Sequence, residues 1–282
     1  MFNRKDGKKV KMDPFFRIIP LIMKERNDAQ VFYGQEISLK PIDEYIRKKQ
    51  AEGVRLGYMH VIYSAFVQTL KRKPKLNQFV INGRLYSRND IIISMTVKKD
   101  MSVDGEESIV KLEFEGTETP EQIKEKLNKA IMVEKEGVGE STETDKFVKV
   151  MEHIPHFLLK SIIRTLMFLD KKNLLPNGII KASPFHSSAF ITNLGSIGLD
   201  AVYHHIYNFG TVGIFLAMGK KNKRMVVKNG VVEEEKTMNL KFVSDERICD
   251  GYYYAMAIRQ FFRYLNKPEN LDIGEIKNEE EL

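Results

Sequence analysis

SDERICDG, residues 244–251, closes an alternating stretch, KTMNLKFV at 236–243, and opens an aromatic one, YYYAMAIRQFF at 252–262. Met238, Leu240 and Phe242 recur with the period of two that marks a strand with one buried face. Carried through Ser244, that register puts Glu246 on the apolar face and Asp245 and Arg247 on the other, where they can be hydrated or paired. A carboxylate on an apolar face must find a hydrogen bond or a cation, or hold its proton more readily than a free glutamate. Asp250 stands directly before Gly251 and a helical pattern, the place of a helix cap. Cys249, the only cysteine, reads as a small packed residue.

Upstream of this stretch, helices and strands alternate. YMHVIYSAFVQTLKRKP at 58–74 has apolar residues at helical spacing, basic residues in its last turn and Pro74 as a stop. FVINGRLYSRNDIIISMTV at 79–97 carries the turn signal Asn82-Gly83 between strand-like runs, and Asn229-Gly230 repeats it. TPEQIKEKLNKAI at 119–131 opens with a cap, a first-turn proline and a capping-box glutamine. HFLLKSIIRTLMFLDKKNLL at 156–175 is a helix apolar around most of its circumference, and so wide a face is expected to be buried in the core or in a subunit contact, a membrane-surface helix being the alternative with only a thin basic face. EGVGESTETDK ahead of it reads as a mobile loop.

Composition bounds the function. The chain has 282 residues, 43% hydrophobic and 29% charged, as in a soluble globular protein. One cysteine excludes an internal disulfide and a cysteine-rich metal site, which points to a reducing cytoplasm. No uncharged apolar run reaches the length of a membrane span, since PFFRIIPLIM at 14–23 is broken by Arg17 and Pro20. The net charge of +7 is concentrated in the first twelve residues and in KRKPK at 71–75. Neither cluster carries a nucleic-acid recognition pattern, so both read as a solvated tail and a helix end.

Two further segments carry candidate chemistry. SSAFITNLGSIG at 187–198 is a short strand running into glycines that permit close backbone approach, with Thr192 and Asn193 near its end. His204 and His205 are neighbours in YHHIYNFG and on a strand would point to opposite faces, so they complete no metal site.

LKPIDEYI (39–46), PKLNQFVINGRLYSRNDIIISMTV (74–97), FITNLGSIG (190–198), VGIFLAMGK (212–220) and DERICDGYYYA (245–255), in this order, resemble the catalytic domain of the 2-oxoacid dehydrogenase dihydrolipoamide acyltransferases and of chloramphenicol acetyltransferase. The resemblance covers roughly residues 14–265. It implies an α/β fold, a two-layer sandwich with a large mixed sheet and packed helices. It also implies a homotrimer with active sites between subunits, where coenzyme A or acyl-CoA is a substrate and no metal takes part. In that family a histidine acts as general base, a serine or threonine hydroxyl of the neighbouring subunit stabilises the oxyanion, and an aspartate paired with an arginine holds the geometry. Carried over, the hydroxyl falls on Thr192 beside Asn193, and the aspartate on Asp250 with Arg17 as its expected partner. The histidine position is occupied by Glu246, with Arg247 beside it. His204 and His205 are expected along the substrate channel.

The expected organisation is a basic arm at 1–12, an acyltransferase-like domain at 13–268 with an inserted loop and apolar helix at about 134–176, and an acidic tail at 269–282. No lipoyl segment precedes the core, so the chain is not expected to carry its own lipoyl group. The functional expectation is CoA-dependent acyl transfer with Glu246 as base. The alternative is a catalytically silent trimer of the same fold that binds CoA or a protein partner. A third is a different reaction in the same channel that recruits His204 or His205. Neither nucleic acid nor a membrane span enters any of these.

Overall fold

Asn82 and Gly83 both take left-handed backbone angles, φ 49° and 69°, which a tight turn between twisted strands requires. The hairpin expected there is present: β3 (Gln78–Ile81) pairs antiparallel with β4 (Arg84–Arg88). The coordinates are a computed structural model of the chain and describe residues 4–98, 107–136, 154–228 and 230–274.

β1 (Gly7–Lys9) adds to the outer edge of β4, giving a three-stranded sheet in the order β1-β4-β3. The reading of the first twelve residues as a solvated tail is therefore corrected. Lys8, Lys9 and Lys11 are exposed, but Arg4 is buried and Gly7 packs so closely on Ser87 and Phe79 that a Cβ would collide with them.

The main sheet has six strands. β2 (Gln30–Ser38), β5 (Ile91–Lys98), β6 (Glu107–Phe114), β7 (Ala189–Asn193), β8 (Ile214–Lys228) and β9 (Val231–Asp245) lie in the order β2-β9-β8-β7-β5-β6. β7 runs parallel to both β5 and β8, and the other pairs are antiparallel. Asn229 lies outside the described residues, but Lys228 pairs with Val231 across the two-residue link expected there.

A short helix α1 (Ile19–Ile22) precedes β2. Four longer ones, α2 (Lys40–Ala51), α3 (Tyr58–Arg72), α4 (Pro120–Glu136) and α7 (Gly251–Asn266), supply the helical side of the main core. Thr119 and Gln122 exchange the two hydrogen bonds of the capping box that starts α4. Ile93, Ile191, Leu216, Leu240 and Phe242 from the sheet bury against Ile62, Phe66, Ile123 and Phe261 from the helices. Each such side chain contributes roughly 1.5–3 kcal/mol of transfer free energy. The opposite face buries Phe190, Phe215 and Val243 under Ile206 and Val212, which belong to a segment crossing the sheet between β7 and β8.

α5 (His156–Lys171) is the expected apolar helix, and a short α6 (Asn177–Ala182) follows it. Its burial is narrower than its composition suggests. Leu166 packs with Leu175 and Ile180, while Phe157 and Phe168 remain 76% and 58% exposed. At the other end of the chain Leu271 is fully buried, so order extends past the expected tail boundary at 269. Loop residues 137–146 and the final NEEEL lie outside the described residues. Among the described residues no helix is long and apolar enough to cross a membrane.

Candidate active site

β9 ends at Asp245, where its ladder with β2 stops at Gln30. The Asp245 carboxylate accepts the backbone N–H of Arg247 at 3.1 Å, which caps a 3₁₀ turn over Glu246–Ile248. The period-two register is broken at that point. Glu246 turns outward and is exposed, which corrects the expectation that it lies on the apolar face.

The buried charge at this turn belongs to its neighbours. Arg247 grips Asp245 in a two-pronged pair, Nε to Oδ1 and Nη2 to Oδ2 at 2.7 Å each, and its Nη1 donates to the carbonyls of Met23 and Lys24. Arg26 places Nε 3.4 Å from the same carboxylate and donates to the carbonyls of Tyr207 and Val80. Burial pulls the Arg26 proton affinity below its ordinary value in spite of Asp245, and Arg247 pulls it down further. Pairing on this face was foreseen for Asp245 and Arg247, but its burial and the part of Arg26 were not. Nothing in the spacing of Arg26 distinguishes it from Arg17.

Asp250 caps α7 by accepting the Tyr253 N–H at 2.8 Å, as its position before Gly251 suggests. Its expected pairing with Arg17 is not formed. Arg17 is exposed within a turn held by its own backbone, and the buried N-terminal arginine at the motif is Arg26, on Asp245. Cys249 is buried, and burial pushes its thiol up to about 12, consistent with a packed rather than a reactive group. A cavity open to solvent adjoins the motif, lined by Arg247, Ile248, Cys249 and Asp250 together with Lys11 and Lys75. The two basic clusters that are far apart in sequence thus meet beside the motif.

Thr192 and Asn193 close β7 opposite Ala217 and Met218 of β8. Ile191 faces the helices, so Thr192 faces the other side of the sheet, where it is half-buried. Gly195 has a structural reason within its own chain. A Cβ there would meet the Gly219 carbonyl oxygen at 2.5 Å, where β8 bulges after Met218.

Glu246 and Thr192 do not meet within one chain. Thr192 is level with Ala217, and Ala217 with Lys241, four residues before Asp245. Glu246 follows one residue later, so at about 3.3 Å per residue along a strand and about 4.8 Å between strands the two backbones lie on the order of 20 Å apart. His204 lies in the crossing segment, its ring stacked on Phe215 at 4.2 Å, and burial lowers its proton affinity. His205 is exposed and packs edge-on to Tyr207. Among the described residues no group of three His, Cys, Asp or Glu gathers within metal-ligating range.

A second buried polar chain carried no mark in the sequence. His186 is 1% exposed; its Nδ1 lies 2.8 Å from Ser183 Oγ and its Nε2 3.3 Å from Asp170 Oδ2. Arg4 Nη1 pairs with the same Asp170 at 2.8 Å. Although burial opposes ionisation, His186 and Arg4 hold the Asp170 carboxyl below its ordinary range. The serine, histidine and aspartate resemble a hydrolytic triad only in composition. Ser183 and His186 are sealed from solvent, so no substrate reaches them, and what the group does is fasten α5 to the segment before β1 and to the entry of β7.

Comparison with known proteins adds the following. Residues 170–273 match the family model described as 2-oxoacid dehydrogenases acyltransferase (catalytic domain). No curated protein matches the chain in sequence. Among solved structures, a probable dihydrolipoamide acetyltransferase from Listeria monocytogenes superposes with a TM-score of 0.57 at 15% identity, covering 97% of each chain. A dihydrolipoamide acetyltransferase from Azotobacter vinelandii, investigated for a serine, a histidine and an asparagine in its catalytic mechanism, gives 0.57 at 14% identity over 93% of this chain and 94% of that one. A chloramphenicol acetyltransferase gives 0.54 at 10% identity over 92% and 99%. The fold is therefore that of the chloramphenicol acetyltransferase-like acyltransferase catalytic domains, a large mixed sheet with packed helices.

Proposed function

We propose that the protein is a CoA-dependent acyltransferase whose active site forms between copies of the chain, as in a homotrimer, with Glu246 of one copy facing Thr192 of the next. The observation that carries this reading is the turn itself. It holds an exposed carboxylate at the position where the acyltransferase pattern has its base, and the residues that follow it, Arg247 to Asp250, line an open cavity. Spacing supports it as well: the serine, histidine and asparagine of the Azotobacter enzyme are separated by 52 and 4 residues, and Thr192, Glu246 and Asp250 by 54 and 4.

In the reaction, the Glu246 carboxylate takes the proton of an attacking thiol or hydroxyl. The sulfur or oxygen then forms a bond to the acyl carbonyl carbon, and the carbonyl oxygen becomes an oxyanion that accepts a hydrogen bond from the Thr192 hydroxyl. Collapse breaks the original thioester bond, and the departing thiolate takes the proton back from Glu246. Asp250 keeps α7 and the turn in place, and Arg247 does so through Asp245. His204 and His205 are channel residues in this scheme, and Asn193 has a structural part beside Thr192. Coenzyme A is the acyl carrier, and the chemistry needs no metal.

A carboxylate locked onto an arginine would have favoured a silent trimer. Among the described residues both nearby arginines close onto Asp245 instead. Acyl-CoA turnover, including hydrolysis, by wild type, Glu246→Gln and Glu246→His decides the matter. Loss of a positioned base is expected to lower the rate of Glu246→Gln by about 10²–10⁴. Equal, negligible rates for wild type and Glu246→Gln, with CoA still bound, would establish the silent reading.

A further inference from the structure

Arg247 also lines a second cavity, open to solvent, together with Lys24, Glu25, Arg26, Asp170 and Lys171 among others. Its charges do not balance. Arg26 and Arg247, each with a side chain 3% exposed, share the single carboxylate of Asp245. The two acidic residues on the cavity wall are already engaged, Glu25 by Lys171 at 3.2 Å and Asp170 by Arg4 at 2.8 Å and His186 at 3.3 Å. Lys24 has no carboxylate partner among the described residues. Arg26 Nε makes no hydrogen bond, and its two terminal nitrogens meet only neutral carbonyl oxygens. Buried guanidinium groups favour anionic partners, and here two of them share one carboxylate.

We infer that this cavity binds a small oxyanion, a phosphate or carboxylate group, held by Arg26 and Arg247 with Lys24 and Lys171 at its mouth. Arginine suits this role because its planar fork matches two oxygens of a phosphate or carboxylate. The inference stands independently of the acyl-transfer reading. It requires only the charge arrangement and holds whether or not the chain transfers acyl groups.

The probe is inorganic phosphate, titrated into the full chain by calorimetry and by thermal unfolding at constant ionic strength set with sodium chloride. Acetate is the carboxylate probe. A specific site gives a saturable response, and at ten times its dissociation constant phosphate or acetate raises Tm by about 3–6 °C. General salt stabilisation rises without saturating. The double variant Lys24→Ala/Lys171→Ala, at two exposed positions, is expected to weaken binding about tenfold while leaving Tm in chloride unchanged. Arg26→Met should abolish binding if it folds, and the lysine variant carries the test if it does not. Displacement of phosphate by coenzyme A but not by pantetheine would mean that the site takes a phosphate of a larger ligand; displacement by neither would mean a free anion. Both results keep the site. A response that does not saturate, or a saturable one that the lysine variant leaves unchanged, overturns it.

Discussion

Asp245 is the residue on which the motif turn depends, and replacing it with asparagine should cost far more than its small size suggests. The carboxylate accepts two hydrogen bonds from the Arg247 guanidinium at 2.7 Å and one from the Arg247 backbone at 3.1 Å, and it lies 3.4 Å from Arg26 Nε. Asparagine keeps the shape but removes the charge and turns an N–H₂ group toward a guanidinium. Two arginines with side chains 3% exposed are then left with no anion between them. Breaking a buried pair in this way costs about 3–5 kcal/mol. At about 2–4 °C per kcal/mol for a domain of this size, Tm should fall by about 6–20 °C. Urea unfolding is the quantitative assay, with a lower midpoint and an unchanged slope. Arg26→Met placed on Asp245→Asn removes one uncompensated charge and should restore part of the loss, so the double-mutant cycle should show a coupling of at least about 1 kcal/mol. A loss below about 1 kcal/mol for Asp245→Asn, or strict additivity with Arg26→Met, would refute the claim that the three side chains act as one unit.

Two other groups give simple tests. Burial pushes His60 down to about 4, with Lys124 adding to the effect, and its neutral Nδ1 accepts the Gly57 N–H at 2.9 Å. The unfolded chain takes up that proton first, so stability should fall by about 1–2 kcal/mol as pH drops from about 6.5 toward 4, after allowance for the ring's partial exposure. His60→Gln, which keeps an acceptor, should flatten this step in pH-dependent urea titrations. The Cys249 thiol, pushed up to about 12 by burial, should react with an aromatic disulfide at pH 8 at least about 100-fold more slowly in the folded protein than in urea. Equal rates would show that the turn opens readily.

Wherever local chemistry decided the geometry, the fold was legible in the sequence. Asn82-Gly83 needed positive φ angles, Thr119 and Gln122 needed each other, and Asp250 needed the N–H of Tyr253. The order of the motifs along the chain pointed to the sheet as a whole. The register argument failed at Glu246 because periodicity describes only residues that are still in the strand. Asp245 ends it by bonding to the backbone of Arg247, a competition between side chain and ladder that alternation does not reveal. Arg26, Arg4, Asp170 and His186 were invisible for a different reason. Arg26 and Arg4 reach carboxylates on elements far away in sequence, and a charged residue gives no local sign of whether it will face water or another buried charge. The long apolar helix shows the converse, since Phe157 and Phe168 carry the pattern of burial without being buried in this chain.

The placement of Thr192 and Glu246 at different levels of the sheet has a consequence for ownership. If the two act on one substrate, no polypeptide possesses a complete active site, and each takes part in two incomplete ones. A defective chain would then spoil a site on each side of itself, yet a chain lacking only the hydroxyl and a chain lacking only the carboxylate could still build one sound site between them.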